Sequence, residues 1–275
     1  MRIALVLCCV AFLQACSVTR LPNDIGYGVL NSDDLVTVKE GLPTYLLLVD
    51  GALITYPESE SLLLTASSLN SAYSGVFVED EQRKVKLAAK ALGFAEKAMC
   101  LHRKTACNLQ KMPFDEYETE ISGFKKDKDL PYLYALASAW TSYIQLTSGD
   151  FNSIAHLARV ELMMKKVVYL DESYENGMPL VYLGALNSIL PPALGGKPEV
   201  AQDYFERAIK VNSSNLIAKV MYAQNYARLV FDQELHDRLL NEVLEADSEY
   251  HGLTLQNEYA KNEATKLLLS SPDYF

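Results

Sequence analysis

Positive charge is scarce in this chain. Its 25 Lys and Arg stand against 35 Asp and Glu, a formal charge of −10 at pH 7. Nucleic-acid binding needs a clustered basic footprint to neutralise phosphates, so that class is excluded. No polybasic segment is present to seek an anionic bilayer. The four histidines, His102, His156, His236 and His251, are scattered. No His sits at finger spacing from the cysteines, and His-Glu-x-x-His is missing, so no metal site is expected. Gly-x-Ser-x-Gly, Cys-x-x-Cys and a glycine-rich dinucleotide turn are missing too. The chain is therefore expected to be neither an enzyme nor a cofactor carrier. His156, in "SIAHLARV", reads as a helix-surface or satisfied core residue. Strand-like alternation bounded by turns occurs nowhere, which leaves an all-α fold.

A hydrophobic run long enough to cross a bilayer is also lacking. The first one, Ile3 to Leu13 after Arg2, holds 11 residues, where a span needs roughly 20. It ends in Leu13-Gln14-Ala15-Cys16, a sequence similar to a bacterial lipobox. The alternative is an ordinary signal peptide whose apolar region happens to end at a cysteine. The lipobox reading makes 1–15 a signal peptide removed on maturation and Cys16 an acylated N-terminus. Acyl chains contribute about 0.8 kcal/mol per buried CH₂. Ser17 does not mark inner-membrane retention by the enteric sorting rule, so the membrane that carries the anchor stays open. No second span follows, and the body is expected to be soluble. Residues 16–40 read as a polar, lipidated linker and 41–275 as one helical domain. Of the five cysteines, Cys100 and Cys107 remain in an oxidising compartment. They make either a disulfide closing a small loop or two thiols on one helix face, since i and i+7 align.

What is present is helix after helix. In "DEQRKVKLAAKALGFAEKAMCLHRK", Leu87, Ala88, Ala91, Leu92, Ala95 and Met99 recur at three and four. Asp80 and Glu81 open that helix and His102, Arg103 and Lys104 close it, each with the sign that suits the dipole. Residues 104–130 lack a period and read as an irregular insert with one short helix near Phe114 to Ile121. Helices resume at "PYLYALASAW". Later starts near Met178, Lys197, Asn215 and Gln233 place like helices 37 and 36 residues apart, close to the tetratricopeptide period of about 34. Leu183-Gly184 fits the first helix of such a hairpin, where glycine permits close contact. Ala201, Phe205 and Ala208 fit the small–aromatic–small series of the second. A hairpin of this kind cannot bury its face alone, so a stack is expected.

The glycine-rich stretch "PPALGGKPE" is not a phosphate loop. That loop requires Ser or Thr after the lysine and a strand before the glycines. Here Pro198 follows Lys197 and a helix precedes. Pro191 and Pro192 stop one helix, Gly195 and Gly196 permit positive φ, and Pro198 opens the next helix at N1. The segment reads as an elongated turn. Loops of this kind gather on one face of a solenoid, often the binding face.

The lipobox, "SLNSAYSGVF", "VVYLDESYENGMPLVYLGALNSILPPALGGKPEVAQDYFERAI" and "YARLVFDQELHDRLLNEVL" together resemble the TatT-type component of TRAP (tripartite ATP-independent periplasmic) transporters. The resemblance runs from about residue 40 to 270; residues 104–130 look private to this sequence. It implies a periplasmic lipoprotein built as a tetratricopeptide-like bundle that self-associates, with a trimer favoured, and encloses a channel or cleft. The implied partner is a periplasmic solute-binding protein feeding an ion-driven permease, with a small-molecule ligand and no catalysis. A tetratricopeptide scaffold for envelope assembly is the alternative. A polar lining inside the stack separates the two. Asn225, Arg228 and Asp232 share a helix face at i, i+3 and i+7. They line a cavity if buried, where Arg228 meets a ligand carboxylate; otherwise Arg228 pairs with Asp232. Trp140, Tyr143, Tyr182 and Asn187 are further lining candidates, each with interhelical packing as its alternative.

Overall fold

Apolar residues at three- and four-residue spacing make helices, and the computed structural model, which describes residues 21–275, has no strand among them. The signal-peptide segment 1–15 and Cys16 lie outside the described residues. The expected polar linker is largely helical. Helix α1 spans Leu21–Leu30 and α2 spans Leu35–Thr55. Asp34 caps α2, its Oδ1 accepting the N–H groups of Val36 and Thr37 at 3.0 Å each. Val38 and Leu42, one turn apart, bury against Tyr73 and Val78. Pro43 lies inside α2 and removes one backbone donor. That proline, with Gly41 beside it, hides the helix from a sequence pattern.

Helices α3 (Glu60–Phe77) and α4 (Glu81–His102) follow, with Ser59 and Asp80 as side-chain caps. Small residues bring α4 close to its neighbours. Ala98 meets Leu63 and Ala66 of α3, while Ala91 and Ala95 enter the core around α6. The insert then turns through Lys104–Ala106 and forms α5 (Phe114–Ser122). Cys100 and Cys107 are joined by a disulfide, with Cα atoms 4.4 Å apart. Helix α6 (Lys126–Leu146) starts earlier than Pro131, where the sequence pattern placed it. Asp129 makes the early start possible, since its Oδ2 accepts the Lys125 N–H at 2.7 Å. The next stretch is split into α7 (Phe151–Ile154) and α8 (Leu157–Leu170).

The C-terminal half contains α9 (Met178–Asn187), α10 (Pro198–Val211), α11 (Leu216–Met221), α12 (Gln233–Glu245), α13 (Thr254–Leu269) and α14 (Ser271–Tyr274). The four starts expected from 178 to 233 fall within one residue of the observed ones. A Cβ on Gly184 would lie 2.7 Å from the Phe205 ring, so glycine is what lets α10 seat on α9. Ala201, Phe205 and Ala208 are fully buried there, and Phe205 stacks on Tyr222 at 5.3 Å. The backbone of α11 continues as a π turn over Tyr222–Ala227.

The end of the chain returns to its beginning. Leu255 of α13 packs into the α2–α3 cluster of Val38, Leu42 and Tyr73. The Gly252 N–H donates to Asn31 Oδ1 at 2.8 Å, and Tyr259 Oη donates to the Gly75 carbonyl at 3.3 Å.

Candidate functional site

Tyrosines gather where α6, α8 and α9 meet. Tyr134 lies edge-on to Tyr174 at 5.1 Å and to Tyr182 at 6.3 Å. Protein surrounds Tyr134 and Tyr182 closely, yet both keep solvent-accessible surface. Burial raises both phenols, and the Glu175 charge raises them further. Ser142 of α6 opposes the rise at Tyr182. Tyr143 follows Ser142 and packs against the same core.

Glu175 comes from a strained turn. Glu175, Asn176 and Gly177 have φ of 46°, 57° and 80° in succession. Left-handed backbone at two non-glycine residues costs energy and persists only when its surroundings impose it. Asn212 and Asn215 impose it here, donating from Nδ2 to Asn176 Oδ1 and to the Asn176 carbonyl, both at 3.0 Å. Burial raises the Glu175 carboxyl. Three phenols and one carboxyl close together suit a small ligand held by ring contact and hydrogen bonds.

The other sequence candidates take structural positions. Asn187 ends α9: its Nδ2 donates to the Leu183 carbonyl at 2.9 Å, and its own carbonyl accepts from the Lys197 N–H at 3.0 Å. In the loop, the N–H groups of Leu194, Gly195 and Gly196 bond to the carbonyls of Pro191 and Pro192. None of those donors points outward at an anion. Gly195 has φ 94°, and a Cβ on Gly196 would fall 1.7 Å from the Leu190 carbonyl oxygen, so both glycines serve the turn. Pro191, Pro192 and Lys197 are exposed, and Leu194 holds an apolar side chain 68% exposed at the tip.

Arg228 and Asp232 do not pair. Arg228 donates from Nη2 to Ser270 Oγ at 2.7 Å and sits 4.5 Å from the Tyr274 ring centre. Asp232 caps α12, accepting the Leu235 N–H at 2.9 Å. Asn225 donates to the Met221 carbonyl at 3.0 Å. The π turn between them adds a residue to the local register, so positions i, i+3 and i+7 no longer share a face. Trp140 is 2% exposed in the core and meets His156 at 5.2 Å. His156 is not satisfied: its buried Nδ1 has no partner, and burial, chiefly, lowers its pKa.

One cluster escaped the sequence pattern. His102 Nε2 lies 2.8 Å from Asp129 Oδ1, and its ring stacks on Tyr132 at 3.8 Å. Tyr132 donates to Glu60 at 2.6 Å. The members come from α3, α4 and α6, and no spacing within one segment announces them. A grouping of Ser271, Asp237 and His236 also occurs. There the serine donates to Asp237 at 2.7 Å rather than to the imidazole, which is not the arrangement that activates a nucleophile. Among the described residues, no group of three or more metal-ligating side chains forms, and no helix is long and apolar enough to cross a membrane.

No curated protein matches this chain. The family model described as TAtT, TRAP transporter T-component, matches residues 31–275. That range takes in nearly the whole helical body, from the turn before α2 through the strained Glu175 turn and the proline–glycine loop to the last residue. The chain belongs to the TRAP transporter T-component family.

Proposed function

We propose that this protein is a lipid-anchored periplasmic accessory of a TRAP transport system, docking a solute-binding protein and holding a small ligand at the tyrosine cluster. Cys16 carries the acyl anchor, and the helical hairpins stack as tetratricopeptide-like units. Copies self-associate, with a trimer favoured. The observation that carries the reading is the family match over 31–275. Two features of the molecule support it: the cluster of Tyr134, Tyr174 and Tyr182 for the ligand, and the hydrogen-bonded loop that holds Leu194 out into solvent for the partner. A T-component is a transport accessory rather than an enzyme class, and no catalytic role is assigned.

The chain from Ser17 onward, tagged and used to capture partners from a periplasmic extract, tests this. Stoichiometric recovery of a solute-binding protein is the expected outcome. Leu194→Asp reduces that recovery at least tenfold while leaving the thermal melt unchanged, because the side chain contacts solvent and not core. Capture of envelope assembly factors in its place would favour the scaffold reading, and undiminished capture by Leu194→Asp would remove the loop from the interface.

A further inference from the structure

A cavity lies against Trp140, walled in part by residues 106–111 of the insert, which the family match over 31–275 includes although its sequence looks private to this chain. Its volume is about 410 Å³, within the range of about 300–1,000 Å³ typical of small-molecule sites. The wall is built rather than loose. The Cys100–Cys107 disulfide ties the insert to α4. Arg159 of α8 donates to the Met112 carbonyl at 2.6 Å and to the Leu109 carbonyl at 3.4 Å. Asn108, with φ 63°, turns the chain so that Leu109 packs inward at 3% exposure.

The chemistry of the lining is ordered by depth. Leu136 and Trp140 supply an apolar floor. The partly buried Glu96 carboxylate stands beside it and accepts a hydrogen bond on Oε1 from Gln110 Nε2. Among the described residues its Oε2 has no hydrogen-bond partner. Burial, chiefly, raises this carboxyl, opposed by the charge of Lys111. At the rim Lys97 and Lys111 are exposed, and among the described residues neither is in an ion pair. A desolvated carboxylate within and two ammonium groups at the mouth complement a molecule with the opposite order of charge.

We infer that this cavity binds a small zwitterion of the α-amino-acid type, its ammonium on Glu96, its carboxylate toward Lys97 and Lys111, and its apolar group on Leu136 and Trp140. A charged group taken out of water must be matched by a partner, and a zwitterion matches both signs at once. The site does not depend on the transport reading, since it is read on the isolated protein.

Calorimetric titration of the oxidised chain from Ser17 onward decides it. The probes are L-leucine, L-phenylalanine, 3-methylbutan-1-amine and 4-methylpentanoate. Leucine or phenylalanine binds, and the amine and the acid bind at least tenfold more weakly. Glu96→Gln weakens the amino acid at least tenfold, and the Lys97→Gln/Lys111→Gln pair at least threefold. Those lysines are exposed, so the pair keeps the fold and remains decisive if Glu96→Gln melts early. Absence of heat with every probe overturns the inference. So does equal binding of 4-methylpentanoate, or amino-acid binding that survives all three substitutions.

Discussion

Gly184 carries more structural consequence than any other glycine in a helix of this chain. A methyl group there meets the Phe205 ring at 2.7 Å, and that ring is itself held by Tyr222. Overpacking of this kind costs about 1–3 kcal/mol. Gly184→Ala is therefore expected to lower the urea midpoint by that equivalent at unchanged slope; an unaltered midpoint would mean that α10 shifts freely on α9. This contact was legible, because Leu183-Gly184 and the Ala201–Phe205–Ala208 series announce a close helix pair. The partners of Arg228 were not. Its guanidinium reaches Ser270 and Tyr274, 42 and 46 residues further on, and a local helical register says nothing of such distances. His102 with Asp129 is a similar case. Burial alone would raise the Asp129 carboxyl. The His102 hydrogen bond, the Lys125 N–H and the charges of His102 and Arg103 together bring it below its usual value. Only the tertiary packing of α4 on α6 brings those groups together.

At the scale of elements, helix positions were readable wherever a cap or a stop stood at the boundary. Asp80, His102 and Pro198 mark ends that the structure keeps. Boundaries failed where a helix runs through a proline. Pro43 and Pro131 lie inside α2 and α6, and in each case the sequence pattern began the helix too late. Tertiary burial of Val38 and Leu42 on one side, and Asp129 on the other, outweighs the lost donor. The insert between α4 and α5 has no periodic face and depends on tethers. Its disulfide closes a loop of seven-residue separation. Such a closure removes about 2.5 kcal/mol of unfolded-chain entropy. Reduction, or the Cys100→Ser/Cys107→Ser pair, is expected to cost that much in chemical denaturation while leaving the helical circular-dichroism signal in place. A cost near zero would assign the insert's order to Arg159 alone.

For the whole molecule, the contact between the two ends changes the expected unfolding. In an open stack each repeat touches only its neighbours, and ends can fray independently. Here α13 and the turn before it reach the N-terminal helices, Leu255 through the α2–α3 cluster, Gly252 through Asn31 and Tyr259 through Gly75 of α3. Burial, chiefly, pushes the Tyr259 phenol up to about 12 from an ordinary 10.0. A raised phenol favours the folded protein fully while both states keep their proton, below about pH 10. As the pH climbs, the unfolded chain ionises first, and the contribution is lost by the time the pH passes about 12. Wild-type stability should thus fall over that window, and Tyr259→Phe should fall less across it. Equal slopes would mean that the Tyr259 phenol is not raised in the folded protein.

The same contact predicts how α13 responds to loss of the N-terminal helices. Leu255 fills the cluster that Val38 and Leu42 supply, and Asn31 accepts the Gly252 N–H. Deleting residues up to 58 removes α1 and α2 and takes the Val38 and Leu42 side away from Leu255, leaving Tyr73 and Val78. Partial exposure of a leucine costs up to about 1.5–3 kcal/mol, and the lost Asn31 bond adds about 0.5–1.5 kcal/mol. Amide exchange in α13, around Thr254–Leu269, should accelerate by roughly tenfold to a thousandfold, since 1.4 kcal/mol is a factor of ten. Amides of α9 and α10, whose core of Leu180, Phe205 and Leu240 lies apart from that cluster, should keep their protection. Were α13 to exchange as slowly as before, the contact between the ends would carry no stability, and the molecule would unfold as an open stack whose N-terminal unit is dispensable.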